Sequence, residues 1–170
     1  MIQRTLFIVL YGLILGGCAA TPQWNSELPY PPDQEPQVGA ILHMPTGYYV
    51  SEAQMLDNAS LHPLVYVGEL HDNPASHRLQ LAVLQDMVKK HPGKVALGME
   101  MFTSKQQDAL DSWVVGGLSE KEFLRQSRWF SEGWGSEFAY YRDLLLFCRD
   151  NGIAVIGLNV DKKLGQQVST

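Results

Sequence analysis

This chain of 170 residues predicts an α/β fold, a three-layer α/β/α arrangement around a mostly parallel sheet. Three short apolar runs, Leu64–Glu69, Val95–Glu100 and Ile153–Val160, are too continuous for half-solvated strands and read as strands covered on both faces. Helical patterns separate them, and strand–helix–strand alternation implies right-handed crossovers between parallel strands. Each run also carries a glycine shortly before a polar side chain: Gly68 before Glu69, Gly98 before Glu100, and Gly157 before Asn159. Parallel strands align their carboxyl ends, so these polar groups are expected to converge at one rim, where open α/β sheets bind ligands.

Taken in order, the chain opens on a processing signal. Arg4 supplies positive charge, Leu6–Leu15 a short apolar core, and Gly16-Gly17 the small residues before Cys18. That core is too short to span a bilayer, for which about 20 apolar residues are needed. Residues 1–17 therefore read as a signal peptide, and the Leu15-Gly16-Gly17-Cys18 ending looks like a bacterial lipobox, which leaves the cysteine acylated. Ala19 after it favours the outer membrane in that resemblance. With Cys18 lipidated, Cys148 is the only other thiol, and no intramolecular disulfide is available. Residues 18–38 are Pro-rich and polar, a tether between lipid and domain.

Residues 39–170 form the predicted domain. Pro45-Thr46-Gly47 between Ala40–Leu42 and Tyr48–Val50 marks a hairpin, and Ser51 with Gln54 a short helix through Met55 and Leu56. After the first strand, Asp72 and Asn73 are capping types and Pro74 suits the first helical position of a helix reaching about Lys90. On it, Leu81, Leu84 and Val88 share a face, and His77 stands one turn before Leu81 on the same stripe. Ser104 with Gln107 and Ser119 with Glu122 have capping-box spacing for two further helices. Ser136 can cap a long helix, EFAYYRDLLLFCRDN, that stops at Asn151-Gly152. The chain ends soon after Asp161 starts another helix, so the expectation is a sheet cut short.

Without the leader, 12 Lys and Arg stand against 18 Asp and Glu, a net charge of −6. That excess of acid, with no basic stripe, excludes a nucleic-acid partner.

The candidate site is Glu69, His71, His77 and Glu100, with Asn159 nearby and the Tyr140-Tyr141 pair beside it. Two histidines and two carboxylates suit a divalent ion of the zinc or manganese type, although no known zinc spacing is present. Glu and His can equally form a general acid–base pair, but no serine elbow, activated thiol, P-loop or dinucleotide fingerprint accompanies them. Each residue also has a structural role available: the carboxylates as helix caps, His71 as a backbone partner, His77 as a satisfied core histidine. Trp129, Phe130 and Trp134 are placed either to pack on a planar ligand or to close the core.

The stretches VYVGELHDNPASHRLQLAVLQ, ALGMEMF followed by Gln106-Gln107, and WGSEFAYYRDLLLFCRDNGIAVIGLNV resemble the ChaN-type haem-binding uptake proteins, relatives of the Tiki and erythromycin-esterase-like groups. The resemblance runs from Gly39 to the last residue, and family members continue beyond that point. It implies an α/β/α fold and a surface lipoprotein that holds haem for iron uptake, as a binding protein more than an enzyme. A homodimer enclosing haem between subunits and a receptor or transporter taking the cargo are implied as partners. Iron would then be ligated by Tyr140, Tyr141 or His71, since tyrosinate and imidazole are both haem ligands. The same superfamily implies the alternative, a metal-dependent hydrolase.

Overall fold

The computed structural model describes residues 35, 37–131 and 137–160. Two compact units divide the chain, Met1–Glu52 and Ala53–Thr170. Cys18, Trp134 and Ser136 lie outside the described residues.

In the first unit, β1 (Ile41–His43) pairs antiparallel with β2 (Tyr48–Val50), Ile41 opposite Val50 and His43 opposite Tyr48. Gly47 takes a φ of +73° in the turn, and Thr46 Oγ1 lies 2.7 Å from His43 Nδ1. The expected hairpin forms because a glycine tolerates this left-handed backbone without steric cost.

The second unit is built on α1 (Glu52–Ala59, from the boundary), α2 (Pro74–Lys90), β3 (Ala96–Thr103), α3 (Gln107–Val114), α4 (Glu120–Gln126), α5 (Ala139–Asp150) and β4 (Ala154–Asn159). Asn73 caps α2, its Oδ1 accepting from the Ala75 N–H at 2.8 Å. Lys89 and Lys90 complement the helix dipole at the other end. Lys90 Nζ also lies 2.7 Å from Asp57 and 2.8 Å from Asp86, joining α1 to α2. At α4 the Ser119 N–H donates to Glu122 Oε2 at 2.9 Å and Ser119 Oγ accepts from the Glu122 N–H, the expected capping box. The entry to α3 sits one residue earlier than the spacing predicts: Thr103, not Ser104, donates its N–H to Gln106 Oε1 at 2.8 Å and starts a single 3-10 turn, Ser104–Gln106. Gln106 Nε2 in turn donates to the Ser127 carbonyl.

β3 and β4 run parallel, Ala96 opposite Ala154 and Met99 opposite Gly157, with an irregularity before Thr103 meets Asn159. Leu97, Met99, Met101 and Val155 join the core with Leu84 of α2, Leu110 and Trp113 of α3, and Leu144 and Leu145 of α5. Phe102, Trp113, Phe123 and Trp129 are fully buried in this core, so Trp129 closes the interior, while Phe130 is exposed. Burial pushes the Cys148 thiol up to about 12, as befits a small core hydrophobe.

Two expectations need correction. Leu64–Glu69 is not a strand: the segment is irregular and joins no ladder among the described residues. Leu64 and Tyr66 are 65% and 86% exposed, against the expectation of cover on both faces. An apolar run reports a tendency to be buried and says nothing of whether a neighbouring edge lies within hydrogen-bonding reach. The mostly parallel sheet reduces to the β3–β4 pair. Its outer face carries exposed Ile156 and Leu158, and the third layer of the expected α/β/α sandwich is not among the described residues.

Candidate functional site

Because the Leu64–Glu69 segment stands off from β3, a cleft of about 1080 Å³ opens between them. One wall is the chain from Ser60 to Glu69, the other Val95 with β3 from Ala96 to Met101, and the floor is Val83, Leu84 and Met87 of α2 with Leu144 of α5. Ile156 and Leu158 complete an apolar lining. Glu69, His71, Gln80, Glu100 and Tyr141 sit towards its carboxyl end, while His62, His91 and Lys94 line the other.

At the first end a hydrogen-bond network is centred on the Glu69 carboxylate, whose side chain is 6% exposed. Oε1 lies 2.7 Å from His71 Nδ1 and accepts from the Tyr141 hydroxyl at 2.7 Å. Oε2 accepts from Gln80 Nε2 at 2.7 Å and lies 3.3 Å from His77 Nδ1. His77 Nε2 donates to the His71 carbonyl at 3.0 Å. A carbonyl or an ionised carboxylate can only accept, so these contacts place a proton on His71 Nδ1 and on His77 Nε2; His77 Nδ1 also faces acceptors, Glu69 Oε2 and, at 3.2 Å, Gln80 Oε1.

His77, Gln80 and Tyr141 reach Glu69 because α2 and α5 pack side by side. His77 and Gln80, three residues apart, share one face of α2. The His77 ring stacks on Tyr140 at 5.2 Å with a 14° interplanar angle and meets Tyr141 edge-on at 4.8 Å. Asn73 makes this possible from the other side, since its cap turns the chain between His71 and α2.

Burial works to raise the Glu69 pKa, but the donors from His71, Tyr141 and Gln80, with the His77 charge, outweigh it and hold the carboxyl below the usual glutamate value. A carboxyl held low stabilises the fold above its unfolded-state pKa, and that contribution disappears as pH falls through the folded value. Glu69→Gln removes it. The melting-temperature difference between wild type and variant is therefore expected to be largest near neutral pH and to close below about pH 4. Thermal melts at pH 7 and pH 3 with an equal difference would contradict this.

Of the residues singled out from sequence, Glu69, His71, Glu100 and Tyr141 line one cleft. His77 and Tyr140 stand behind Glu69 and outside the lining: His77 is 8% exposed and is a satisfied histidine that braces the carboxylate. Asn159 is turned elsewhere, its side chain donating to the Glu100 carbonyl at 3.0 Å and accepting from the Val160 N–H at 2.9 Å. Gln80 escapes the sequence reading, although its place three residues after His77 on a capped helix is a usable signal. His62, His91 and Lys94 carry no such signal, because they meet the site only through the fold.

The three glycines have three different surroundings. A methyl group on Gly68 would meet nothing within 4 Å, one on Gly98 would meet the Leu158 side chain, and one on Gly157 would press on the backbone of β3.

The chemistry of this donor set can be stated. An elongated apolar cleft with an imidazole at its rim accepts a largely apolar ligand of cofactor size, since such sites run from roughly 300 to 1,000 Å³. Imidazole and phenol are both ligands that haem iron takes, and the apolar walls suit a porphyrin, so the residues present fit haem. Fold and site thus define an α/β ligand-binding protein with nitrogen and oxygen donors at one end of an apolar cleft. Residues 55–170 match the family described as haem-binding uptake, Tiki superfamily, ChaN, and the chain belongs to that family. No curated protein and no solved structure matches it.

Proposed function

We propose that this protein is a lipid-anchored haem-binding protein serving haem and iron uptake, with the cleft receiving haem and His71 as the iron ligand. The observation that carries the reading is the apolar cleft ending at an imidazole whose Nδ1 is held 2.7 Å from a carboxylate. His71 is preferred to the tyrosines because its side chain is 49% exposed, whereas Tyr141 is 1% exposed with its hydroxyl committed to Glu69, and Tyr140 stacks on His77. Lys94, His62 and His91 at the far end suit the acidic edge of the ligand. Within β3, Ala96 to Glu100 covers roughly 13 Å at about 3.3 Å per residue, and Lys94 lies two residues beyond that span.

Lipid attachment at Cys18 and an outer-membrane location belong to the same reading and are supported by the lipobox pattern. No helix among the described residues is long and apolar enough to cross a membrane. Exposed Tyr66, Leu70 and Leu158 support a homodimer that covers haem from both sides. Among the described residues no group of three His, Cys, Asp or Glu side chains is arranged to hold a metal ion.

Hemin titration tests the reading. The wild type is expected to give a saturable Soret shift, and His71→Ala to weaken binding by more than about 100-fold, beyond the usual loss for a group outside the coordination sphere. If His71→Ala binds as the wild type does while Tyr140→Phe or Tyr141→Phe abolishes the charge-transfer band, a tyrosinate is the ligand. A wild-type spectrum identical to free hemin removes the haem reading altogether.

A further inference from the structure

We propose that residues 61–68 form a strap that closes onto the free edge of β3 as a third parallel strand, so that a ligand enters the cleft only by displacing it. The proposal concerns two arrangements of this chain and stands whichever ligand the cleft takes.

Both sides of the cleft carry backbone groups without a partner strand. Among the described residues β3 pairs with β4 alone, and successive residues of a parallel strand direct their N–H and C=O groups to opposite edges, so the far edge of β3 is open. Across the cleft, no backbone group of Leu64, Val65, Tyr66, Val67 or Gly68 forms a hydrogen bond within the described residues. The same residues carry a strand's burial pattern: Leu64, Tyr66 and Gly68 are exposed, whereas Val65, Val67 and Glu69 are partly buried. That period of two matches the sheet, where Ala96, Gly98 and Glu100 of β3 and Ala154, Ile156 and Leu158 of β4 are exposed while Met99 and Val155 are buried. The strap therefore already presents to β3 the face that pairing would bury.

Its two ends are fastened to the helical layer. The Ser60 carbonyl accepts from His91 Nε2 at 2.8 Å at the end of α2, and the Glu69 carboxylate is held by Gln80 of α2 and Tyr141 of α5 at 2.7 Å each. Residues 61–68 lie between these fixed points, with Pro63 near the first of them, where a strand tolerates a missing N–H. The handedness of the chain agrees as well. Right-handed crossovers that add parallel strands in one direction place their helices on one face of the sheet. The order strap, β3, β4 meets this condition, since Leu84 of α2, Trp113 of α3 and Leu145 of α5 pack in one core with Met99 and Val155. The space into which the strap closes is the same 1080 Å³ that a ligand would take, so pairing and occupancy exclude one another. A ligand's apparent affinity then falls in proportion to the open fraction.

Amide exchange and backbone NOEs, read by NMR on the purified full chain in detergent, test the proposal. Without ligand, alternate amides of residues 64–68 are expected to exchange at least about tenfold more slowly than in an unstructured peptide, which corresponds to roughly ten closed molecules for each open one. NOEs are expected to join the backbone of these residues to that of β3. Because consecutive amides face opposite edges, one of Tyr66→Pro and Val67→Pro is expected to abolish the protection and the other to leave most of it. Exchange at the peptide rate with no NOE to β3 overturns the proposal, and so does protection whose NOEs lead to another segment. Should a proline variant fail to fold, exchange and NOEs of the wild type still decide. Hemin supplies the second arm, followed by mass spectrometry, which paramagnetic iron does not disturb. Hemin that binds and returns the strap to fast exchange upholds both the strap and the cleft as a haem site. Hemin that binds while protection persists lies outside the cleft, which upholds the strap and overturns that site. A protected strap in a chain that binds no hemin upholds the strap and removes only the haem reading.

Discussion

Trp113→Ala is expected to destabilise the fold by about 3–5 kcal/mol, the range for removing a buried aromatic side chain. Trp113 is fully buried and packs on Phe123 with ring centres 4.8 Å apart. Its indole N–H donates to the Leu145 carbonyl at 2.9 Å, and the Arg149 guanidinium lies 4.7 Å from the ring centre. Alanine would leave a cavity between α3, α4 and α5 and remove the side-chain bond to the Leu145 carbonyl of α5. Domains of this size are stable by roughly 5–15 kcal/mol in all, so the variant stands close to global unfolding. Urea unfolding followed by fluorescence measures the loss. Trp113→Phe, which keeps most of the ring and loses the N–H, should fall between the two. A loss under about 1 kcal/mol for alanine would mean that the helical layer does not pack tightly on β3 and β4.

Gly157→Ala is expected to cost about 1–3 kcal/mol or more, and its cause is a backbone clash. A Cβ at this position would lie 2.5 Å from the Thr103 carbonyl oxygen and 2.9 Å from its carbonyl carbon. Neither atom can turn away as a side chain does. Gly157 is further pinned because its N–H donates to Gln107 Oε1 at 3.2 Å, while Gln107 Nε2 donates to the Val155 carbonyl at 2.8 Å. The Gln107 amide thus holds β4 against the irregular end of β3. Gly98→Ala provides the contrast. Its Cβ would meet Leu158 Cδ1 at 2.7 Å, but that is the far end of a side chain 60% exposed, which can swing out at little cost. Paired thermal melts should therefore show a much larger drop for Gly157→Ala. Equal drops would mean that Thr103 gives way and that β3 and β4 are only loosely paired at this end.

These glycines separate what is legible in the chain from what is not. Read together, Gly68, Gly98 and Gly157 suggest a shared rim open to a ligand. In the structure Gly157 answers to strand packing, while Gly68 and Gly98 both line the cleft, Gly98 beneath the Leu158 side chain. A glycine in a sequence records that a side chain is absent and gives no sign of what occupies its place. Asn159 misleads for a related reason: strand alternation places it near the rim, but the backbone of Glu100 and its own neighbour take up its amide. Glu69 and His71 are legible because two ionisable side chains directly before a helix-capping Asn73-Pro74 put titratable groups at a helix N-terminus, a place suited to binding chemistry.

The sequence by itself determined the local pieces: the hairpin, the helices with their capping residues, the two strands that pair, and the family to which their motifs belong. Caps, turns and hydrophobic periods act over a few residues, and that information is contiguous in the chain. Only the tertiary structure decided that Leu64–Glu69 stands away from β3 to leave a cleft, and that Tyr141, 72 residues further along, supplies the hydroxyl that holds Glu69. Those outcomes depend on how α2 and α5 pack against one another. Contacts between segments so far apart are settled by which surfaces exclude water together, and no short stretch of sequence carries that choice.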